Sequence, residues 1–562
     1  MLEPTSSHRQ QDFRVAKNGE SLRVNPRVAT GLLIGLSVVA HLPGFGGAFI
    51  WDDDAHVTES RAVVDPGGLP TIWFEPGSVP QYYPLTHSSF WLEYRLWGDN
   101  PTGYHAVNIL LHVASVVVLW RLLAGLGVSG AWLAAALFAV HPVHVESVAW
   151  ISERKNVLSG LFALLSTVAW LSWWRAEPGT AGRRWWLAVG FFAAALFSKT
   201  VTVTLPAAWL VICWWQGGRV GRREWLSVLP MLLLAVPMGL VTVWSEQRHI
   251  GAGHLDLGLS ALDRILVAGR AIWFYAGKLF WPTELAFIYP RWTIDSASIL
   301  QWIYPLAAVL VLFALWCQRS RVGRGPLAAG LLFVGTLAPA LGFVDIYPMQ
   351  FSFVADHFQY LASIPLLVAA AWLMVTRRYP TLGGAALLIL LGLAWVRGPV
   401  FLDNANLWTD TVAKNPRSPL ALTSLGNELG AAGSHKLAER RHREAIAVDN
   451  EFPDAWVNLS VELQVQAKHD EAFDAARQAV RLAPWLPRAR VNLALGLTDR
   501  ERYDEAVEQL EAAVATDSRF SAAWFHLARV ELLRNNQSGF DTAVEQLRRL
   551  DPRLARDFEP SP

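Results

Sequence analysis

From residue 28 to about residue 400 the chain is a series of apolar runs separated by short polar loops, and beyond residue 400 that pattern stops. The runs lie at Val28–Leu42, then near 104–124, 129–149, 156–174, 185–201, 202–216, 225–244, 297–317, 326–344, 359–376 and 381–397. A helix crosses the hydrocarbon core with about 17–25 apolar residues, so 185–216 is expected as two short helices turning at Ser198-Lys199-Thr200. Leu262–Trp281 is also apolar but holds Asp263, Arg264, Arg270 and Lys278, charges that a lipid-facing span would bury at high cost. It reads as an interfacial amphipathic helix. The pattern therefore predicts an all-α polytopic membrane bundle of about 11 spans over 28–400, with a large loop at 51–103.

Loop charge orients the bundle. Residues 175–184, 219–223, 319–324 and 377–378 are the basic loops, and a basic flank, 1–27, precedes the first run. Excess Lys and Arg stay on the cytoplasmic side. All of these segments share that side only if an odd number of spans precedes the C-terminal domain. The expectation is an uncleaved first helix with a cytoplasmic N-terminus in a cell inner membrane. The C-terminal domain then faces the periplasm, or the lumen in a eukaryotic cell.

That domain, 419–562, repeats. Leu425, Leu459, Leu493 and Leu527 are in phase at a period of about 34 residues, each followed by a small residue (Gly426, Ser460, Ala494, Ala528). Ala438, Ala472 and Ala506 keep the same phase, as do Ala445, Ala479 and Ala513. This is the tetratricopeptide repeat (TPR) pattern over about four units, an α-solenoid whose helix hairpins bury their apolar faces by stacking. Its concave face suits extended protein segments and implies no chemistry of its own.

Composition sharpens the division. About 50 charged residues fall before position 401 and about 45 in the much shorter remainder. With 53 % hydrophobic residues, 17 % charged and a mean hydropathy of +0.27, a soluble enzyme, a coiled coil and a disordered chain are excluded. A net charge of +1 argues against a nucleic-acid partner and leaves membrane lipids as the surroundings. Cys213 and Cys317, both in apolar runs, make no disulfide framework.

The polar residues that interrupt this material gather at the helix ends expected on the outer side. Asp52, Asp53 and Asp54 follow the first span, and clustered carboxylates raise one another's pKa, which suits a general base or a metal- or phosphate-associated site. Tyr83 lies in the aromatic-rich loop, and His105 and His112 lie two turns apart on the second span, where buried hydrogen bonding is the ordinary role. His141, His144 and Glu146 are candidate substrate or metal ligands, although their spacing is not that of a known zinc helix. Arg154, Lys155 and Lys199 are candidate partners for an anion, and Asp356 and His357 lie in the last outer loop.

These residues resemble the TMTC-type family, transmembrane and TPR-containing O-mannosyltransferases of the GT-C class. The resemblance is carried by Phe49-Ile-Trp-Asp-Asp53, Gly103-Tyr-His-Ala-Val-Asn-Ile-Leu-Leu-His112, His141-Pro-Val-His-Val-Glu-Ser-Val-Ala-Trp-Ile151, Ser198-Lys199 ahead of Leu205-Pro206, and the terminal repeats. It implies a GT-C-like bundle that moves a sugar, mannose in the family, from a polyprenyl-phosphate donor to Ser or Thr of exported proteins with inversion. Asp52 and Asp53 match the family's acidic pair, and either would be the base. Arg154, Lys155, Lys199 and His357 become the expected donor-phosphate contacts. His105, His141, His144, Glu146, Tyr83 and Asp356 are further substrate-binding candidates. Thr200 stands where a glutamate is common beside the lysine, and Tyr83-Pro84 where Arg-Pro is common. No cofactor is implied with certainty; a divalent cation sharing the phosphate is compatible with the pattern. The competing expectation is a non-catalytic TPR scaffold for envelope proteins, and a third is a lipid-linked sugar transporter.

Overall fold

The computed structural model describes residues 25–177, 179–249 and 257–558, and among these every regular element is a helix. The basic flank expected at 1–27 lies almost wholly outside the described residues. Asn25 opens the first helix, Pro26–His41, by accepting the Arg27 N–H, and Pro26 sits where a helix needs no amide donor.

Among the described residues six helices are long and apolar enough to cross a membrane: Pro26–Gly44, Pro101–Gly125, Ile151–Trp174, Arg222–Ser245, Ile299–Gln318 and Pro380–Phe401. The run at 129–149 is two pieces, Ala131–Val140 and Pro142–Ala149, bent by 54°. Pro142 lacks the N–H that would continue the helix and forces the break. Counting that pair as one span gives seven, against the eleven that hydropathy predicts. The difference lies in Gly182–Ser198, Leu205–Gly217, Gly325–Ala340 and Ser363–Thr376, which are helical but short.

The charged helix is Ala261–Phe280, opened by a Ser260/Asp263 capping box. Arg264 forks onto Asp345 at 2.8 and 2.9 Å, Arg270 lies over the Trp292 ring, and Lys278 donates to the carbonyls of Thr283 and Glu284. Each of these cations is tied to protein, and the helix is not among the six spans.

Four hairpins follow: Pro419–Ala431 with His435–Val448, Pro453–Val465 with His469–Leu482, Pro487–Thr498 with Tyr503–Thr516, and Ser521–Leu533 with Gln537–Leu550. The in-phase leucines and alanines are buried. Gly426 shows why a small residue follows the leucine, since a Cβ there would come within 2.5 Å of the His442 ring.

The array is rooted in the bundle. Helix Asn404–Lys414, capped by Asp403, joins the last span to the first hairpin. Arg397 and Lys414 both pair with Asp410 at 2.7 Å, and Lys414 Nζ also donates to the Leu285 carbonyl. Leu420, Ala421 and Leu425 of the first hairpin share one apolar core with Val140, Trp150 and Phe287. The repeats therefore begin on the side of the bundle that carries the acidic loop.

Candidate active site

Trp51 sets the acidic turn. Its φ of +52° is a left-handed conformation that costs a non-glycine residue about 1–2 kcal/mol. The surroundings hold it there: its N–H donates to Asn404 Oδ1, and its ring meets Trp408 at 5.0 Å and Phe287 at 6.3 Å. Backbone strain enforced in this way tends to sit at working sites.

The turn sends adjacent carboxylates in opposite directions. Asp53 is fully buried, with Oδ2 accepting the Ile50 N–H at 2.9 Å and Oδ1 the Ser152 N–H at 2.6 Å. Asp52 keeps 32 % of its side chain exposed, while its Oδ1 accepts from Ser152 Oγ at 2.7 Å and Trp150 Nε1 at 3.1 Å. Burial, then the charge of Asp52, pushes the Asp53 carboxyl well above the usual carboxylate range. Burial also works to raise Asp52. His56, Lys155 and the Ser152 hydroxyl outweigh it and hold Asp52 below that range. Asp52 is thus the ionised, accessible member, and Asp53 is a strut for the loop.

The cations converge on Glu153. Lys155 Nζ lies 3.0 Å from its Oε1, Lys199 Nζ 3.1 Å from its Oε2, and His357 Nε2 3.9 Å from its Oε1. Lys155 also donates to Gln81 Oε1 at 3.0 Å, and His357 Nδ1 lies 2.5 Å from Glu146 Oε1. Trp150 joins this group to Asp52, with its indole N–H on Asp52, its ring 5.6 Å from Lys155 Nζ and its ring 5.6 Å from that of His357. Lys199 reaches the group because helix Gly182–Ser198 ends there in an extended residue before the tight turn Thr200–Thr204. Thr86, from the large loop, holds the Ser198 carbonyl at that break. Where the family pattern offers glutamate after the lysine, this chain has Thr200, and Glu153 is the carboxylate that pairs with Lys199.

One cavity adjoins the cations, a small one lined by Asn156, Ser159, Lys199 and His357. A second, of about 570 Å³, is mainly apolar and runs between the helices that contribute Leu119, Leu164, Leu205, Leu332, Val368 and Trp372. Thr336 and Leu361 line both, so the two cavities share a wall.

Other sequence candidates are placed elsewhere. Arg154, next to Lys155, points the opposite way and is wholly buried. It forks onto Glu93, with Nη2–Oε2 at 3.0 Å, bonds Asn108 and the Tyr104 carbonyl, and lies over Phe90. Its guanidinium has no side left for a phosphate. His105 bonds the Gly47 carbonyl, and His141 donates to that of Leu279. His144 Nδ1 donates to the Phe138 carbonyl, and its Nε2 lies 3.0 Å from Ser363 Oγ. His141, His144 and Glu146 thus face separate partners rather than one ion. Among the described residues no three His, Cys, Asp or Glu side chains form a metal-binding group. Asp356 is buried and accepts from Tyr289 Oη at 2.8 Å; burial and the charge of Glu146 raise its carboxyl. Tyr83 is buried near Lys155, and its carbonyl accepts from His87.

Glu153, Ser152, Trp150 and Gln81 were not singled out by sequence. Only Glu153 left a signal. Two cations in the first turn of a helix oppose its dipole, so Arg154 and Lys155 require carboxylates nearby.

These features define a polytopic α-helical membrane protein with a TPR array rooted beside an Asp–Lys–His site. Its homologues are TMTC-type protein O-mannosyl-transferases. One from Caenorhabditis elegans, protein O-mannosyl-transferase F38B6.6, is 25 % identical over 75 % of this chain and 63 % of its own. Protein O-mannosyl-transferase TMTC2 of Mus musculus is 32 % identical over 41 % of this chain and 30 % of its own. The tmtc2 protein of Xenopus laevis is 27 % identical over 49 % and 36 %. The chain spans less than two thirds of the length of these relatives. No family model matches it. Similar solved structures include the TPR protein YrrB, 18 % identical over 27 % of this chain and 80 % of that one, with a TM-score of 0.24.

Proposed function

We propose that the chain is a membrane glycosyltransferase that moves a sugar, mannose by the names of its relatives, from polyprenyl phosphate to Ser or Thr hydroxyls of exported proteins. The observation that carries this reading is that the apolar cavity of about 570 Å³ lies beside the Lys199–His357 pocket, with Thr336 and Leu361 as their shared wall. A ligand that fits both has a long apolar tail and an anionic head.

The acceptor hydroxyl is far too weak an acid to ionise at neutral pH, so a base must take its proton during attack. Asp52 takes it. The hydroxyl oxygen bonds to the anomeric carbon, and the bond from that carbon to the phosphate oxygen breaks on the opposite face, inverting the centre. Polyprenyl phosphate leaves, with Lys155, Lys199 and His357 facing its developing charge. A divalent cation sharing that phosphate is compatible with this scheme and carries no step of it.

Lys199→Met should raise KM for the donor by about 10–100-fold with a smaller change in kcat, as loss of a charge-assisted contact made in the ground state would do. Donor titration in detergent measures it, and an unchanged KM would move the phosphate elsewhere. The site is assigned to the periplasmic or lumenal face. A reporter active only there, fused after residue 400, should be active, and a stable but inactive fusion would reverse the topology. The function itself is tested by glycoproteomics of exported proteins in cells lacking the chain. Loss of hexose from Ser and Thr sites, restored by wild type and not by Asp52→Asn, is expected. An unaltered glycoproteome would favour the scaffold.

A further inference from the structure

Two histidines that the transferase scheme leaves unused stand behind Asp52. His56 and His87 are 3 % and 0 % exposed, and their rings stack with centroids 5.3 Å apart and planes 20° from parallel. Their hydrogen bonds fix both tautomers. His87 Nδ1 lies 3.1 Å from the Tyr83 carbonyl, which only accepts, so that nitrogen carries a proton. Burial, then the charge of His56, pushes the His87 pKa down to about 3, so the ring is neutral and its Nε2 is an acceptor. His56 Nδ1, 3.1 Å from that Nε2, must be the donor. The free nitrogen of His56, Nε2, then faces Asp52 Oδ2 at 3.4 Å. With neutral His56 this contact sets a lone pair against a carboxylate, and it becomes attractive when one proton lies between them.

We propose that Asp52 and His56 form a proton-sharing dyad, with His56 receiving the proton that Asp52 removes from the acceptor and His87 fixing the orientation of the His56 ring. The inference rests on the transferase reading for its chemistry. In the step, the acceptor O–H bond breaks and its proton goes to Asp52 Oδ2 while the new C–O bond forms and the phosphate leaves with its electron pair. The proton then passes from Oδ2 to His56 Nε2, which restores the carboxylate beside an imidazolium. It returns to water through the exposed part of Asp52. His56 acts through Asp52 and is a positioning residue. The charged and titratable groups facing the dyad are Asp53 on its own turn, His87 on helix Pro84–Trp97 and Lys155 on helix Arg154–Trp174.

The sign of the pH dependence follows. At low pH the dyad already holds its proton, so transfer is slow, and the rate rises as the shared proton is lost. In wild type the acid limb of kcat reports the dyad. In His56→Gln it should fall toward the range of a lone carboxylate, a displacement of about two pH units. Histidine-selective nitrogen NMR of the full chain in nanodiscs reads the same dyad without turnover. Wild-type His56 should be protonated at Nδ1, and its Nε2 signal should carry the coupling of a hydrogen bond to Asp52 that is lost in Asp52→Asn. A His56 Nε2 signal indifferent to Asp52→Asn overturns the dyad, as does an active His56→Gln enzyme with an unmoved acid limb. If wild type transfers no sugar at any pH while the NMR coupling is present, the dyad stands and the transferase reading fails.

Discussion

Asp52→Asn should lower the rate of sugar transfer by about 10²–10⁴-fold, the usual contribution of a positioned general base, while leaving donor binding and folding near wild type. The asparagine can still accept from Ser152 Oγ and Trp150 Nε1, so the loop keeps its anchors and loses only the proton acceptor. Asp53→Asn should behave differently. Both oxygens of Asp53 accept backbone N–H groups, and an amide would aim its NH₂ at one of those donors. The expected result is a destabilised loop, a cost of about 1–3 kcal/mol for the unsatisfied group, and a protein that melts earlier in detergent. Kinetics and thermal unfolding of the two single variants separate base from strut. Equal activity loss with equal stability in both would return them to the same role.

Arg154→Met should cost about 3–5 kcal/mol of stability, since it leaves the Glu93 carboxyl buried without its counter-charge. The partner pair is buried on both sides, with side-chain exposures of 0 % and 7 %, and Asn108 and the Tyr104 carbonyl lose their donor as well. Adding Glu93→Gln to Arg154→Met should recover part of the loss, because the stranded charge is then gone. Unfolding of the solubilised full chain measures both. If Arg154→Met is stable and instead weakens donor binding as Lys199→Met does, the guanidinium belongs to the phosphate site.

The fold was legible where one pattern repeats. The leucine and alanine phase of the TPR region recurs in each hairpin, and a helix must bury that face wherever it stacks. Span number was less legible, because hydropathy does not register helix length. Pro142 breaks one run, and the runs at 326–344 and 359–376 hold only the short helices Gly325–Ala340 and Ser363–Thr376, whereas the division of 185–216 at Ser198 was legible. The site was legible as a set of residue types gathered at helix ends. Which of two neighbours does what was not legible. Asp52 and Asp53 differ through the left-handed turn at Trp51, and Arg154 and Lys155 differ by the angle between successive side chains on one helix. Glu153 was hidden among the cations it organises, and His56 and His87 are 31 positions apart until helix Pro84–Trp97 folds back on the acidic turn.

Transfer from a lipid-linked sugar with Asp52 as the base sets the mechanism apart from a scaffold role. Its most direct test places the purified full chain in liposomes with isotope-labelled polyprenyl-phosphate mannose and an exported acceptor protein, and follows label into Ser and Thr of the acceptor. The expected result is α-to-β or β-to-α inversion at the anomeric carbon, transfer by wild type, and a loss of about 10²–10⁴-fold in Asp52→Asn with the donor still bound. Transfer by Asp52→Asn at the wild-type rate, or none by a wild-type protein that binds the donor, would contradict it.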